Sequence, residues 1–230
     1  MELRLLKTEL ERRAFARRLG EVRAMRGAGF GETHRSVIGE VHVAFGKLYA
    51  LYDERGTAPD EMIGGFAMHD LAMFSQSYPK PDLTHLPPDK VFECGELWAV
   101  AAGAGRLLRH AGAIIAGALE ARAMLVYPIF KPWNLSGSYN NFVRAGDPVK
   151  WPYARTLDGG QIYVQPMVSE GETLAAGIAE AKHHGYELLD EEMGLRFEAP
   201  FSISSKKIAV RGRTRIVAAG ADEHAKRAAA

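Results

Sequence analysis

The stretch from Val91 to Phe130 constrains this chain most, because it reads as a buried strand, a glycine turn, an amphipathic helix and a second strand in direct succession. VFECGELWAV (91–100) is apolar and rich in aromatic residues, as a buried strand requires. AAGAG follows, then RLLRHAGAIIAGALEARA (106–123), in which Leu107, Leu108, Ala111, Ile114, Ile115, Ala118 and Leu119 form one helical stripe. MLVYPIF (124–130) is the second strand, closed by Pro132. Connections this short between strand and helix point to an α/β (α+β) architecture, with helices covering a sheet.

The rest of the chain fits that scheme. Leu10, Ala14, Phe15, Leu19 and Val22 recur at helical spacing between Thr8 and Met25, and Gly27, Gly29 and Gly31 then break the pattern. KLYALYD (47–53) and EMIGGFAMHDL (61–71) read as a hairpin whose turn contains Gly56 and Pro59. Ser75 to Asp89 holds Pro79, Pro81, Pro87 and Pro88 and is expected to be an irregular loop. NLSGSYNNFVRAG (134–146) reads as a short helix ended by Gly146, and QIYVQPMV (161–168) as one strand. ETLAAGIAEAKHHG (172–185) reads as a helix, and FSISSKKIAVRGRTRIVAA as a strand pair before a frayed tail. Three regions are expected: a helical segment and loop at 1–46, a core at 47–189, and the strand pair and tail at 190–230.

Composition narrows the partners. Lys and Arg total 29 against 28 Asp and Glu, a net charge of +1 that gives no footprint for nucleic acid. No stretch approaches the ~18 apolar residues of a membrane span, and Met1 to Leu10 has no apolar run suited to export, so a cytoplasmic protein is expected. Cys94 is the only cysteine, which excludes an internal disulfide. The eight histidines show no metal-ligand spacing, and no metal is expected.

The turn itself is an anion site by construction. The first N–H groups of a helix have no intrahelical partner, and the helix dipole adds positive charge there. Gly103 and Gly105 let a phosphate approach the backbone, Ala104 lies between them, and Arg106 adds a charged donor. A plain connector between strand and helix would also use two glycines. A third glycine at the G-x-G-x-x-G position is missing, and so is the G-K-[ST] ending of a nucleoside-triphosphate loop.

Taken together, the strand, A-A-G-A-G-R, the helix, the second strand and F-V-R-A-G resemble the core of the GCN5-related N-acetyltransferase superfamily. The resemblance covers about residues 47–168. It implies a mixed, centrally splayed sheet flanked by helices and a coenzyme A pyrophosphate held at R/Q-x-x-G-x-G/A. Val100 occupies the Arg/Gln position, with Gly103 and Gly105 as the glycines. Phe142, four residues before Gly146, fits the aromatic position of a later helix, where many members carry a tyrosine that protonates the leaving thiolate. Tyr139 is then the candidate for that role. Within the superfamily, VFECGELWAV and the proline-rich loop before it are similar to the acyl-homoserine lactone synthases and N-acyl amino acid synthases.

Such a fold implies transfer of an acyl group from acyl-coenzyme A, acetyl or longer, to a small amine or amino acid. A non-catalytic protein that binds or senses acyl-coenzyme A is the alternative, and a homodimer stays open. N-acyl transfer needs a base, and Glu93 and Glu96 are costly in so apolar a strand unless they have a purpose. They lie three residues apart, which alternation sends to opposite faces: Glu96 with Phe92, Trp98 and Val100, Glu93 with Leu97 and Ala99. Glu96 is the preferred base. Strand N–H groups from Trp98 through Ala99 to Val100 would meet the pantetheine arm, and Trp133 and Asn134 would line its groove. His69 beside Asp70 reads as a structural pair at a strand end, and His183 and His184 as favourable charges at a helix C-terminus.

Overall fold

Strand β3 (Lys47–Tyr52) shows how the sheet is built. Tyr49 and Leu51 enter one hydrophobic core, whereas Leu48, Ala50 and Tyr52 enter another, so the period-two alternation of a strand sends side chains to two covered faces. A computed structural model describes residues 2–25, 28–30, 46–52, 58–71, 81–101, 103–128, 141–156, 159–183, 186–190 and 194–197. β3 pairs antiparallel with β4 (Gly64–Asp70), the expected hairpin, and on its other side with β1 (Glu2–Leu5). β1 in turn pairs with β12 (Gly194–Phe197), which pairs with β11 (Tyr186–Asp190). β4 continues into β5 (Val91–Ala99), β6 (Ala123–Val126), β10 (Met167–Glu170) and β7 (Val143–Arg144). The nine strands run β11-β12-β1-β3-β4-β5-β6-β10-β7. β5 and β6 form the parallel pair in an otherwise antiparallel sheet. A separate sheet holds β2 (Ala28–Phe30), β8 (Val149–Thr156) and β9 (Gln161–Val164).

Helix α1 (Glu9–Met25) covers one face through Phe15, Leu19 and Val22. A reciprocal cap starts it: Thr8 N–H donates to the Glu11 carboxylate, and Glu11 N–H donates to Thr8 Oγ1. Helices α2 (Ala104–Ala118) and α3 (Gly171–His183) cover the other face, where Leu107, Leu108, Ala111 and Ile115 meet Phe92, Cys94 and Met124. Close approach sets the packing. Gly112 of α2 lies against Cys94, and Gly117 lies against Ile178 of α3, where an added Cβ would stand 3.2 Å from Ile178 Cδ1.

Two expectations are corrected. The helix read over 134–146 does not form at its described end, since Val143–Arg144 is a strand paired with β10. Asn141 donates to Glu180 of α3 and Phe142 packs on the main core, so tertiary contacts override the local pattern. QIYVQPMV is two strands in different sheets. The break falls at Gln165–Pro166, where proline has no N–H to continue a ladder. The C-terminal strand pair read over 201–219 lies outside the described residues.

Gly65 tests how tightly α1 seats on the sheet. A Cβ there would stand 2.5 Å from Phe15 Cε2 and 2.5 Å from the Tyr49 carbonyl oxygen, and the backbone oxygen cannot swing away. Gly65→Ala should destabilise the fold by roughly 1–3 kcal/mol. An unchanged denaturant midpoint would contradict this packing.

Candidate active site at the fork of the sheet

β5 carries one residue more than the part of β4 it pairs with. Gly65 is opposite Trp98 and Ala67 opposite Gly95, so Phe66 alone faces Glu96 and Leu97, and Glu96 absorbs the excess at φ 53°. A non-glycine residue in that region costs on the order of 1 kcal/mol or more and persists where its surroundings demand it. The bulge reverses the alternation counted from sequence. Phe92 and Cys94 share the α2 face with Leu97 and Ala99, whereas Trp98 and Val100 pack on the α1 side. Glu93 therefore does not share a face with Leu97 and Ala99, nor Phe92 with Trp98.

The same strand parts from its other neighbour. Its register with β6 covers Val91–Glu93 against Ala123–Leu125, yet β5 runs on to Ala99. A fork opens there, and Glu93 stands at its apex. The Val100 N–H donates to Ile63 O at 2.9 Å, away from the fork. By antiparallel alternation the Trp98 N–H also lies on the β4 side, and the Ala99 N–H is directed toward β6. The Trp98 ring is 1% exposed and meets Phe15 edge to face at 5.7 Å, which makes it core.

At the apex Glu93 and His69 are register partners, 6% and 3% exposed, with Nε2 and Oε2 3.4 Å apart. His69 is thus an interior residue of β4 facing Glu93, not half of an exposed pair with Asp70. Burial first and the Glu93 carboxylate second push the Tyr127 hydroxyl well above the ordinary tyrosine range, so it stays a neutral phenol. Tyr127 was not singled out in the sequence; its signal was a polar-tipped aromatic where the apolar strand ends. Glu96, at the bulge, is half-buried. Cys94 is buried against α2, and burial followed by Glu93 pushes its thiol up to about 12, which leaves no thiolate for catalysis.

Beyond the fork the expected turn starts α2. Gly103 caps the helix in the left-handed conformation, φ 84°, which glycine alone adopts at little cost. No side chain caps this end, and no acid stands in its first turn. A Cβ on Gly103 would meet nothing within 4 Å, and one on Gly105 would meet only Arg109 Nη1, at 3.8 Å. The Arg109 guanidinium therefore lies back toward the helix start, where Arg106 is exposed. Ala104 is fully buried, so it contributes its backbone and its packing. Phe142 is half-buried against the same core as α2. Tyr139, Asn134, Trp133 and His184 lie outside the described residues. Among the described residues no group of three His, Cys, Asp or Glu could hold a metal ion, and no helix is long and apolar enough to cross a membrane.

No family model and no curated protein matches the chain. Solved structures do match. A candidate phosphinothricin N-acetyltransferase superposes with a TM-score of 0.52 at 15% identity, over 74% of this chain and 98% of its own. FeeM, an N-acyl amino acid synthase from uncultured soil microbes, gives 0.52 at 10% identity, over 80% and 98%. A candidate N-acetyltransferase from Lactobacillus plantarum gives 0.50 at 13% identity, over 73% and 96%. At such identities the likeness is one of fold, and the fold is that of the acyl-coenzyme A N-acyltransferases.

The buried acids of this core make stability depend on alkaline pH. Burial raises Cys94 from 9.0, and Tyr49 and Tyr52 from 10.0, each to about 12. The unfolded chain loses these protons first, so their contribution is complete below about pH 9 and declines as pH rises toward 12. Denaturant midpoints should fall steadily from pH 8.5 to 11, and Cys94→Ala should flatten the first part of that fall; a midpoint independent of pH would contradict it.

Proposed function

We propose that this protein transfers an acyl group from acyl-coenzyme A to a small amine or amino acid. The observation that carries the reading is the fork: a strand that leaves its parallel neighbour at a buried carboxylate and leads directly into an uncapped, basic helix N-terminus. The backbone of Gly103, Ala104 and Gly105, with the Arg106 side chain, would hold the pyrophosphate. The Ala99 backbone would orient the pantetheine arm and polarise the thioester carbonyl. Glu93 fits the base better than Glu96 does, because its carboxylate is buried at the apex of the fork. The acceptor nitrogen attacks the carbonyl carbon, the C–S bond breaks, and the nitrogen's proton passes to Glu93 while the departing sulfur takes another. Tyr139 is the proposed donor of that second proton.

The alternative, a binder without catalysis, draws on Val100, whose side chain supplies no donor at the Arg/Gln position and whose N–H is held by Ile63. A buried Glu93–His69 pair costs stability and gives a passive binder nothing, which favours the enzyme. Incubation with acetyl- or longer acyl-coenzyme A and a panel of amines should release free thiol, and Glu93→Gln should lower kcat by about 10²- to 10⁴-fold. Binding without thiol release for every acceptor would leave the binder.

The turn has its own test. Arg106→Ala should weaken coenzyme A binding about five- to tenfold by calorimetry, the scale of one exposed charge-assisted contact. Unchanged affinity would make the turn a connector.

A further inference from the structure

A primary amine meets a protein near neutral pH as an ammonium ion, with three protons on nitrogen, and leaves acyl transfer as an amide with one. Two protons must therefore come off the nitrogen, and a single carboxylate holds only one. The register partner of Glu93 has the missing capacity. His69 is 3% exposed, Glu93 is 6% exposed, and Nε2 lies 3.4 Å from Oε2. That separation is longer than the ~2.7–2.9 Å of an imidazolium bonded to a carboxylate, so no proton is fixed between the two groups. Contacts of this kind shorten when the substrate complex forms.

The titratable neighbours are few among the described residues. Tyr127 of β6 stays a neutral phenol, and burial pushes the Cys94 thiol, in the α2-side core, up to about 12. Asp70 of β4 and Lys47 of β3 share the face of Met68, which alternation sets opposite that of His69. Arg12 of α1 donates to the Gly46 carbonyl at 3.0 Å, and Glu96 stands at the bulge three residues beyond Glu93.

We propose that His69 is the second proton store of this site: Glu93 takes the first proton from the acceptor's ammonium group and passes it from Oε2 to His69 Nε2, and the regenerated carboxylate takes the second. The freed nitrogen attacks the thioester carbon between these two transfers, the C–N bond forms and the C–S bond breaks. The sulfur takes its proton from the separate donor. The pair ends as carboxylic acid and imidazolium, and the donor ends with one negative charge. One stored proton then returns to that donor and the other leaves to solvent with the product, which restores the carboxylate and the neutral imidazole. The relay rests on the acyl-transfer reading for its reaction. His69 acts through Glu93 and touches none of the reacting atoms.

Two measurements test it. In the resting chain at about pH 7.5, nitrogen NMR of the His69 ring should show a neutral imidazole with Nδ1 protonated and Nε2 bare. An imidazolium, or a proton on Nε2, overturns the relay, because Nε2 then has nothing left to accept. Thiol release from acyl-coenzyme A is also followed from about pH 7 to 9.5 with the amine of the panel that reacts fastest. His69→Gln and His69→Leu should each lose about 10- to 100-fold in kcat/KM at the acid end. Both should come within about threefold of the parent as pH nears the amine's own pKa, where the acceptor arrives neutral and one proton store suffices. Coenzyme A affinity should stay within about twofold in both. Glutamine keeps hydrogen bonds but takes no proton, so parental rates in His69→Gln overturn the relay, as does a loss that is equal at every pH. If neither variant binds coenzyme A, the NMR of the parent decides alone. A parent that releases thiol with no amine sinks the acyl-transfer reading and the relay with it, whereas thiol release from a parent whose His69 rests as imidazolium sinks the relay alone.

Discussion

β5 has to satisfy two neighbours that make incompatible demands. It must stay antiparallel to β4 from Gly64 to Asp70, yet it accompanies β6 only over Val91–Glu93. One inserted residue resolves the conflict, with Glu96 held in a conformation that L-residues avoid. Beyond it the strand turns its other side to each core, and among the described residues no strand pairs with its edge on the β6 side. The placing of Leu97 and Ala99 in one core and of Trp98 and Val100 in the other follows from that residue.

The surroundings that impose this strain are themselves tightly fixed. α1 approaches β4 at Gly65 closely enough to meet backbone, and α2 approaches β5 through Gly112. Both faces of the central strands are therefore covered by helices at close range, which leaves the strand no freedom to relax the bulge. The covered faces also hold Glu93 and His69 away from solvent, at 6% and 3% exposure. A paired carboxylate in such a place costs free energy, and function is the economical reason to retain it.

Much of this was legible in the residues. Period-two alternation in KLYALY, the apolar stripe of 107–119 and the glycines after Trp98 gave the hairpin, α2 and its uncapped start, because local spacing alone sets them. Where local pattern failed, a distant partner had intervened. Residues around Phe142 carry helix-like spacing, but pairing with β10 and an Asn141–Glu180 bond draw them into the sheet. The face assignments of Glu93 and Glu96 failed for a related reason. Alternation assumes an unbroken strand, and a bulge depends on the register with β4, which lies some thirty residues earlier.

The sequence by itself determined that a strand runs into a glycine turn and a basic helix start, since backbone freedom at Gly103 and Gly105 and helix periodicity after them are local properties. Only the tertiary structure decided which carboxylate lies at the fork. Glu93 and His69 are 24 positions apart and meet only through strand pairing. Cross-strand register is a property of two segments at once, and no spacing within one of them encodes it.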